Sequence, residues 1–387
     1  MDSSRRDVGD VSDTARVDAE RPCPEIPATP VVGASSVCGS SVAADAGAEV
    51  PTRMRAVSDG TRVLIGVASP TGAALTTVDW DALVGWVRPP AFDRSLELNL
   101  GDPTGVGVGI HQQAPIWIVT RRSTEECAFL ESTTGPTSIH CDTTPAALYG
   151  AEVTNGAAVP HYFWFDASTG SISAMRWDSV ERGGSQLYVP WCVTDGMTCE
   201  NLDFGVVDAR GNRGPHVLLS DAAGLAYLWD TTQLMDVRSG EDVDCRCSSD
   251  APVPLELDGS PIRFADADVL YEGPSYLLVH QTEAVVELRR LEVGSEPGDP
   301  IATIPNSGRG AIFDAATDGI HVAAVSAQGQ DLRVFGFDGA SADVTSPIVM
   351  SEQTTILAAA LAVKGQEAMV AIVASAGGTY VRKHTLW

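Results

Sequence analysis

Cysteines are the residues of this chain whose type and spacing point most directly to chemistry. There are eight in 387 residues. Cys127 and Cys141 flank the turn Thr134-Gly135-Pro136, so a hairpin centred near residue 134 would set them opposite each other on neighbouring strands. Cys192 and Cys199 flank Asp195-Gly196 and would close a short loop. Cys23 and Cys38 lie near the N-terminus, and Cys245 and Cys247 form a C-x-C in the acidic stretch EDVDCRCSSD. The pairing of these last four is open. Structural zinc favours C-x₂₋₄-C pairs, which C-x-C does not supply, so disulfides are expected at the cysteines rather than metal. Disulfides persist in oxidising surroundings, and the expected location is therefore extracellular, periplasmic or at the cell surface. The first twenty residues carry no apolar stretch of the secretory kind, so an export signal is expected to have been removed or to lie upstream.

Other groups that could do chemistry are scattered. His161, His216 and His321 each begin a predicted strand, in different repeats, which would hold them too far apart to share one metal at imidazole bond lengths. Glu241, Asp242, Asp244 and Asp250 read as a solvated charge run. There is no G-x-S-x-G elbow, and catalysis is not expected. Asp203, Asp208, Asp266, Asp268 and Asp314 nevertheless keep a second reading open, in which carboxylates lining a channel hydrolyse or eliminate a polysaccharide. Trp86 and Trp191 fall outside the repeating pattern, in connections where burial is not demanded, and are the candidate contact residues for a partner.

The elements that must position these groups are strands. Past residue 50, apolar or alternating runs of six to nine residues are separated by Gly, Asp, Asn, Pro and Ser. The runs recur in phase. One register comprises RVLIGVA from Arg62, IWIVT from Ile116, HYFWFDA from His161, HVLLSDA from His216, YLLVHQT from Tyr276, HVAAVSA from His321 and AMVAIVA from Ala368. Val63 to Ala368 is 305 residues over six intervals, or about 51 per repeat. A second register ends in an aromatic residue, at Trp80, Trp177, Trp229, Phe337 and Trp387, and Trp80 to Trp387 returns about 51 again. Four antiparallel strands per such unit predict an all-β, seven-bladed β-propeller over residues 30–387, behind a flexible acidic leader at residues 1–29. The last unit lacks a fourth strand, and residues 30–37, PVVGASSV, are predicted to supply it and close the ring.

Charge narrows the partners. Twenty-five basic against 51 acidic residues give −26, with lysine only at Lys364 and Lys383, so nucleic acid and anionic membranes would repel the chain. No apolar run approaches the roughly 18 residues that a spanning helix needs.

The fourth unit, FGVVDARGNRGPHVLLSDAAGLAYLW from Phe204, resembles the FG-GAP repeat of integrin-like propellers. Phe204, Gly205, Asp208, Gly211, Asn212 and the strand from Val217 match its pattern. Arg210 stands where a calcium-ligating Asn or Asp would be, Arg213 at the turn Gly and His216 at the last Asp. The resemblance implies the propeller fold. It does not extend to calcium, and no cofactor or metal is expected. The expected function is that of a monomeric, non-catalytic binding propeller that recognises a protein or glycan through its rim loops.

Overall fold

The computed structural model describes residues 52–69, 72–82, 103–111, 114–121, 126–132, 135–142, 148–154, 161–166, 171–177, 186–190, 208–211, 216–221, 223–230, 252–272, 275–337, 342–345, 355–375 and 379–386. Regular structure among them is almost entirely β. The first sheet holds β1 (Arg53–Ser58), β2 (Arg62–Ser69) and β3 (Gly72–Asp79). The second holds β4 (Pro103–His111), β5 (Ala114–Arg121), β6 (Glu126–Ser132) and β7 (Gly135–Asp142). The third holds β8 (Leu148–Thr154), β9 (His161–Asp166), β10 (Ser171–Trp177) and β11 (Gln186–Pro190). The fourth holds β12 (Asp208–Gly211), β13 (His216–Ser220), β14 (Ala226–Asp230) and β15 (Val253–Pro254). A two-stranded ribbon follows, β16 (Glu256–Leu257) with β17 (Ser260–Pro261). The fifth sheet holds β18 (Ala267–Glu272), β19 (Ser275–Gln281), β20 (Val285–Leu291) and β21 (Pro300–Pro305). The sixth holds β22 (Ile312–Thr317), β23 (Val322–Gln328), β24 (Asp331–Phe337) and β25 (Ala342–Thr345). The seventh holds β26 (Ile356–Lys364), β27 (Glu367–Ala374) and β28 (Thr379–Thr385).

Every sheet pairs its strands antiparallel and in chain order. The first sequence register forms the second strand of each sheet, and the aromatic register forms or ends the third. Burial explains both patterns. β13 is buried at all five positions and β23 at six of seven, because neighbouring sheets cover both faces, so these strands read as unbroken apolar runs. β22 alternates, with one face on a neighbour and one open, and β21 is mostly exposed at its edge.

Consecutive sheets pack face to face. Phe313, Phe335 and Phe337 of the sixth sheet bury against Leu277, Val279 and Ile304 of the fifth, and the sixth meets the seventh through Val325, Val334, Leu361 and Val370. The first sheet also packs on the seventh: Met54, Val63 and Trp80 share a core with Ala360, Met369 and Val381. There the Trp80 indole N–H donates to Ser58 Oγ at 2.8 Å, and the Lys364 ammonium lies 5.9 Å from the centre of its ring.

Two turns repeat the same chemistry. Asp59 Oδ1 accepts the N–H groups of Thr61 and Arg62, and Asp318 Oδ1 those of Ile320 and His321, so Ser58-Asp59-Gly60 and Thr317-Asp318-Gly319 close their hairpins alike. The glycines take φ of 84° and 95°, the left-handed region that other residues enter at a cost.

Gly310 has a different reason to be glycine. A Cβ there would collide with Ser326 Oγ and lie 2.8 Å and 2.9 Å from the Ala327 backbone N and O, all on β23, the adjoining strand of the same sheet. Gly310→Ala should lower unfolding stability by about 3 kcal/mol, the upper end for an overpacked core. Urea titration measures it, and a loss well under that would show that β23 relaxes around the methyl.

Candidate functional site

The first strands of six sheets, β1, β4, β12, β18, β22 and β26, share a cavity, and β22 alternates strictly between buried and half-buried positions. The cavity, about 80 Å³, is lined from six sheets. Its polar lining includes Arg55 from β1, Arg210 from β12, Asp268 and Tyr271 from β18, and Asp314 and Thr317 from β22; Val108 of β4 and Leu361 of β26 add apolar surface. Charged groups of both signs thus meet where the small residues of GVGVGI and ILAAALA predict an apolar lining.

Each carboxylate reaches across a sheet boundary. Asp268 accepts the Val269 N–H at 2.9 Å on one oxygen and the Ala315 N–H of the sixth sheet at 3.0 Å on the other. Asp314 accepts the Leu361 N–H of the seventh sheet at 3.0 Å. Asp318 accepts the Gly365 N–H at 2.6 Å, again from sixth to seventh. All three cross-sheet bonds span 47 residues. Arg210 completes the belt by donating to the Ala267 carbonyl at 2.8 Å, its guanidinium stacked 4.5 Å from the Phe264 ring centre.

Enclosure shifts these acids. Burial raises the Asp268 carboxyl above its ordinary range, against the pull of Arg210, the two N–H donors and Arg55. Burial pushes Asp314 up to about 7, the nearby Asp268 charge adds to the rise, and the two arginines oppose it. Asp318, rich in N–H donors, is instead held below the usual carboxylate value despite its burial.

A second polar joint ties the fifth sheet to the sixth. The fully buried Gln281 donates to the Gly310 carbonyl at 2.9 Å, and its amide oxygen accepts Gly310 N–H at 3.2 Å and Ser326 Oγ–H at 2.9 Å. Its nitrogen also approaches Asp266 Oδ1 at 3.4 Å, and Arg309 pairs with that carboxylate at 3.3 Å.

The sequence-named residues fall as follows. Asp266, Asp268 and Asp314 lie at sheet joints or in the cavity. Asp208–Gly211, part of the stretch resembling a calcium loop, form strand β12, with Arg210 lining the cavity. His216 is buried against the Tyr276 ring, with its Nδ1 hydrogen-bonded to that hydroxyl, and His321 is pinned by Asp318 at 3.3 Å; they serve different joints. Among the described residues no group of three or more His, Cys, Asp or Glu is placed to hold a metal. The β6–β7 register sets Cys127 directly opposite Cys141. Cys23, Cys38, Cys192, Cys199, Cys245, Cys247, Trp86, Trp191, Asp203, the acidic loop from Glu241 and the proposed closing segment 30–37 lie outside the described residues.

Arg55, Gln281 and the Asp318–Gly365 bond were not singled out from sequence. The signal for the carboxylates was present as a local interval of 46 or 47 residues between Asp268, Asp314 and Leu361, hidden beneath the average of about 51.

In chemical terms the belt offers one carboxyl near neutrality and one carboxylate, the pairing that acid–base catalysis uses. Each carboxyl, however, is committed to a backbone N–H, and the cavity has room for a few waters rather than the roughly 300 Å³ or more of typical ligand pockets.

No protein-family model matches this chain, and no curated protein is similar to it. Among solved structures, the chain is similar to Chaetomium thermophilum Raptor with a TM-score of 0.43 and 12% identity, over 88% of this chain and 28% of that one. The chain therefore spans little more than a quarter of the structure it matches.

Proposed function

We propose that the seven larger sheets are the blades of one propeller, and that it is a secreted or surface-displayed, non-catalytic binding protein contacting a protein or glycan through its rim loops. The observation that carries this reading is the commitment of the cavity carboxylates: Asp268 and Asp314 hold the N–H groups of the next sheet and leave little space for a substrate. Packing of the first sheet on the seventh supports a ring, and the three-stranded seventh sheet leaves β28 as an edge for residues 30–37 to cover. The FG-GAP-like spelling of the fourth unit fits the same architecture. Specificity would then live in the connections between strands, with Trp86 and Trp191 as anchors and the sheets as a rigid mount. The net charge of −26 disfavours nucleic acid, and among the described residues no helix is long and apolar enough to cross a membrane. The chain is proposed to act as a monomer without a cofactor.

A polysaccharide hydrolase or lyase is the second reading. Asp314 near 7 beside Asp268 is the observation that favours it.

A glycan array and a surface-protein capture on the full chain, followed by assay for product release, separate the two. Binding should fall at least tenfold in Trp86→Ala or Trp191→Ala with no product formed. Release of sugar that Asp314→Asn abolishes would establish the enzyme instead.

The opposed register of Cys127 and Cys141 supports a cross-strand disulfide, and with it an oxidising compartment. Peptide mapping of unreduced protein should recover Cys127 linked to Cys141, with neither alkylated before reduction. Quantitative alkylation of both would contradict the bond and the location drawn from it.

A further inference from the structure

Asp268 and Asp314 sit in successive sheets and face one cavity, yet their hydrogen bonding is unequal. Asp268 has two backbone N–H donors, while Asp314 has one. N–H donors stabilise the ionised form, so the charge belongs on Asp268 and the proton on Asp314. Among the described residues, the other charged or titratable groups lining the cavity with the pair are Arg55 from β1, Arg210 from β12 and Tyr271 beside Asp268. β23 contributes no charged side chain, and Lys364, the cation of β26, lies at the strand's end beside Trp80. Asp266, at the neighbouring joint, is engaged with Arg309 and Gln281.

We infer that Asp268 and Asp314 form a proton-dependent clasp joining the fifth, sixth and seventh sheets, closed while Asp314 holds a proton and weakened when both carboxyls are ionised. Loss of the proton puts a second negative charge into one enclosed space, where repulsion is poorly screened. The strain falls on the two bonds that link the sheets, Asp268 to Ala315 and Asp314 to Leu361.

The direction follows from linkage. Asp314 titrates near 7 in the folded chain against 3.8 ordinarily, so between those values the folded state keeps a proton that the unfolded state has lost. Stability contributed by this group is complete below 3.8, falls as pH rises through about 7 and is gone above it. His280 and His384, held below the ordinary 6.5 by burial, act in the opposite sense until their unfolded imidazoles have lost their protons, about a pH unit above 6.5. Asp59 and Asp318, held low, act only in acid. These groups are common to wild type and an Asp314 variant, so the ratio of the two folding constants between pH 6.5 and 8 isolates the clasp.

Urea unfolding of the full chain across that interval is the test. The folding equilibrium constant of wild type divided by that of Asp314→Asn should fall about fourfold from pH 6.5 to 8 through a group titrating near 7. Asp314→Asn keeps an oxygen to accept the Leu361 N–H without the charge, so its own stability should rise over this interval with the histidines, and its midpoint at pH 8 should exceed that of wild type. Asp318→Asn should leave the slope of stability against pH as in wild type. An unchanged slope or a lowered midpoint at pH 8 in Asp314→Asn would overturn the clasp. Infrared difference spectra of wild type add a measurement that needs no variant: a protonated-carboxyl band should be present at pH 6 and lost by pH 8, and its absence at pH 6 would also overturn it. Neither readout depends on a ligand, so failure here is distinguishable from failure of the binding reading.

Discussion

A short acidic side chain that accepts a backbone N–H from the next sheet is the interaction on which the rest of this structure depends. Apolar faces bring sheets together but do not fix how one slides on another, because burial is non-directional. A hydrogen bond does fix it. Asp268, Asp314 and Asp318 each reach 47 residues forward to a main-chain donor, and the two bonds from the sixth sheet meet Leu361, in the C-terminal half of β26, and Gly365, just past its end. Gln281 performs the same task between the fifth and sixth sheets with a neutral amide, bonding both the N–H and the carbonyl of Gly310.

This arrangement also explains why charge occurs in an otherwise apolar interior. Two arginines and two aspartates nearly balance in the cavity, and each aspartate has backbone donors that offset its lost hydration. Replacing the belt by leucines would keep the packing and forfeit the registration between sheets. Chemistry-like features, including a carboxyl near neutrality, thus arise from joining sheets. Perturbed titration marks a site under constraint, and here the constraint is mechanical as readily as catalytic.

Much of the fold was legible because burial on both faces writes unbroken apolar runs. HVLLS and VAAVSAQ are such strands, and their phase located all seven second strands. The hairpin turns at Asp59-Gly60 and Asp318-Gly319 were equally readable, since one carboxylate closes each. The cavity was read less well. GVGVGI and ILAAALA suggested an apolar hub, but Arg55 and Arg210 lie on strands with no such signature, and two Asp residues 46 apart look like surface turns until their N–H partners are known. The ribbon β16–β17 had no signal either; its two-residue strands are too short for any periodicity to register.

Amide hydrogen exchange at Gly365 tests the central claim most directly. This residue sits in the β26–β27 hairpin turn with φ of 55°, where an N–H facing solvent would exchange at nearly the free-peptide rate. Bonded to Asp318 of the neighbouring sheet, it should be protected to the same degree as the Ala315 and Leu361 amides and open only with them. Rapid exchange at Gly365 while those two stay protected would contradict carboxylate-to-amide registration of the sheets.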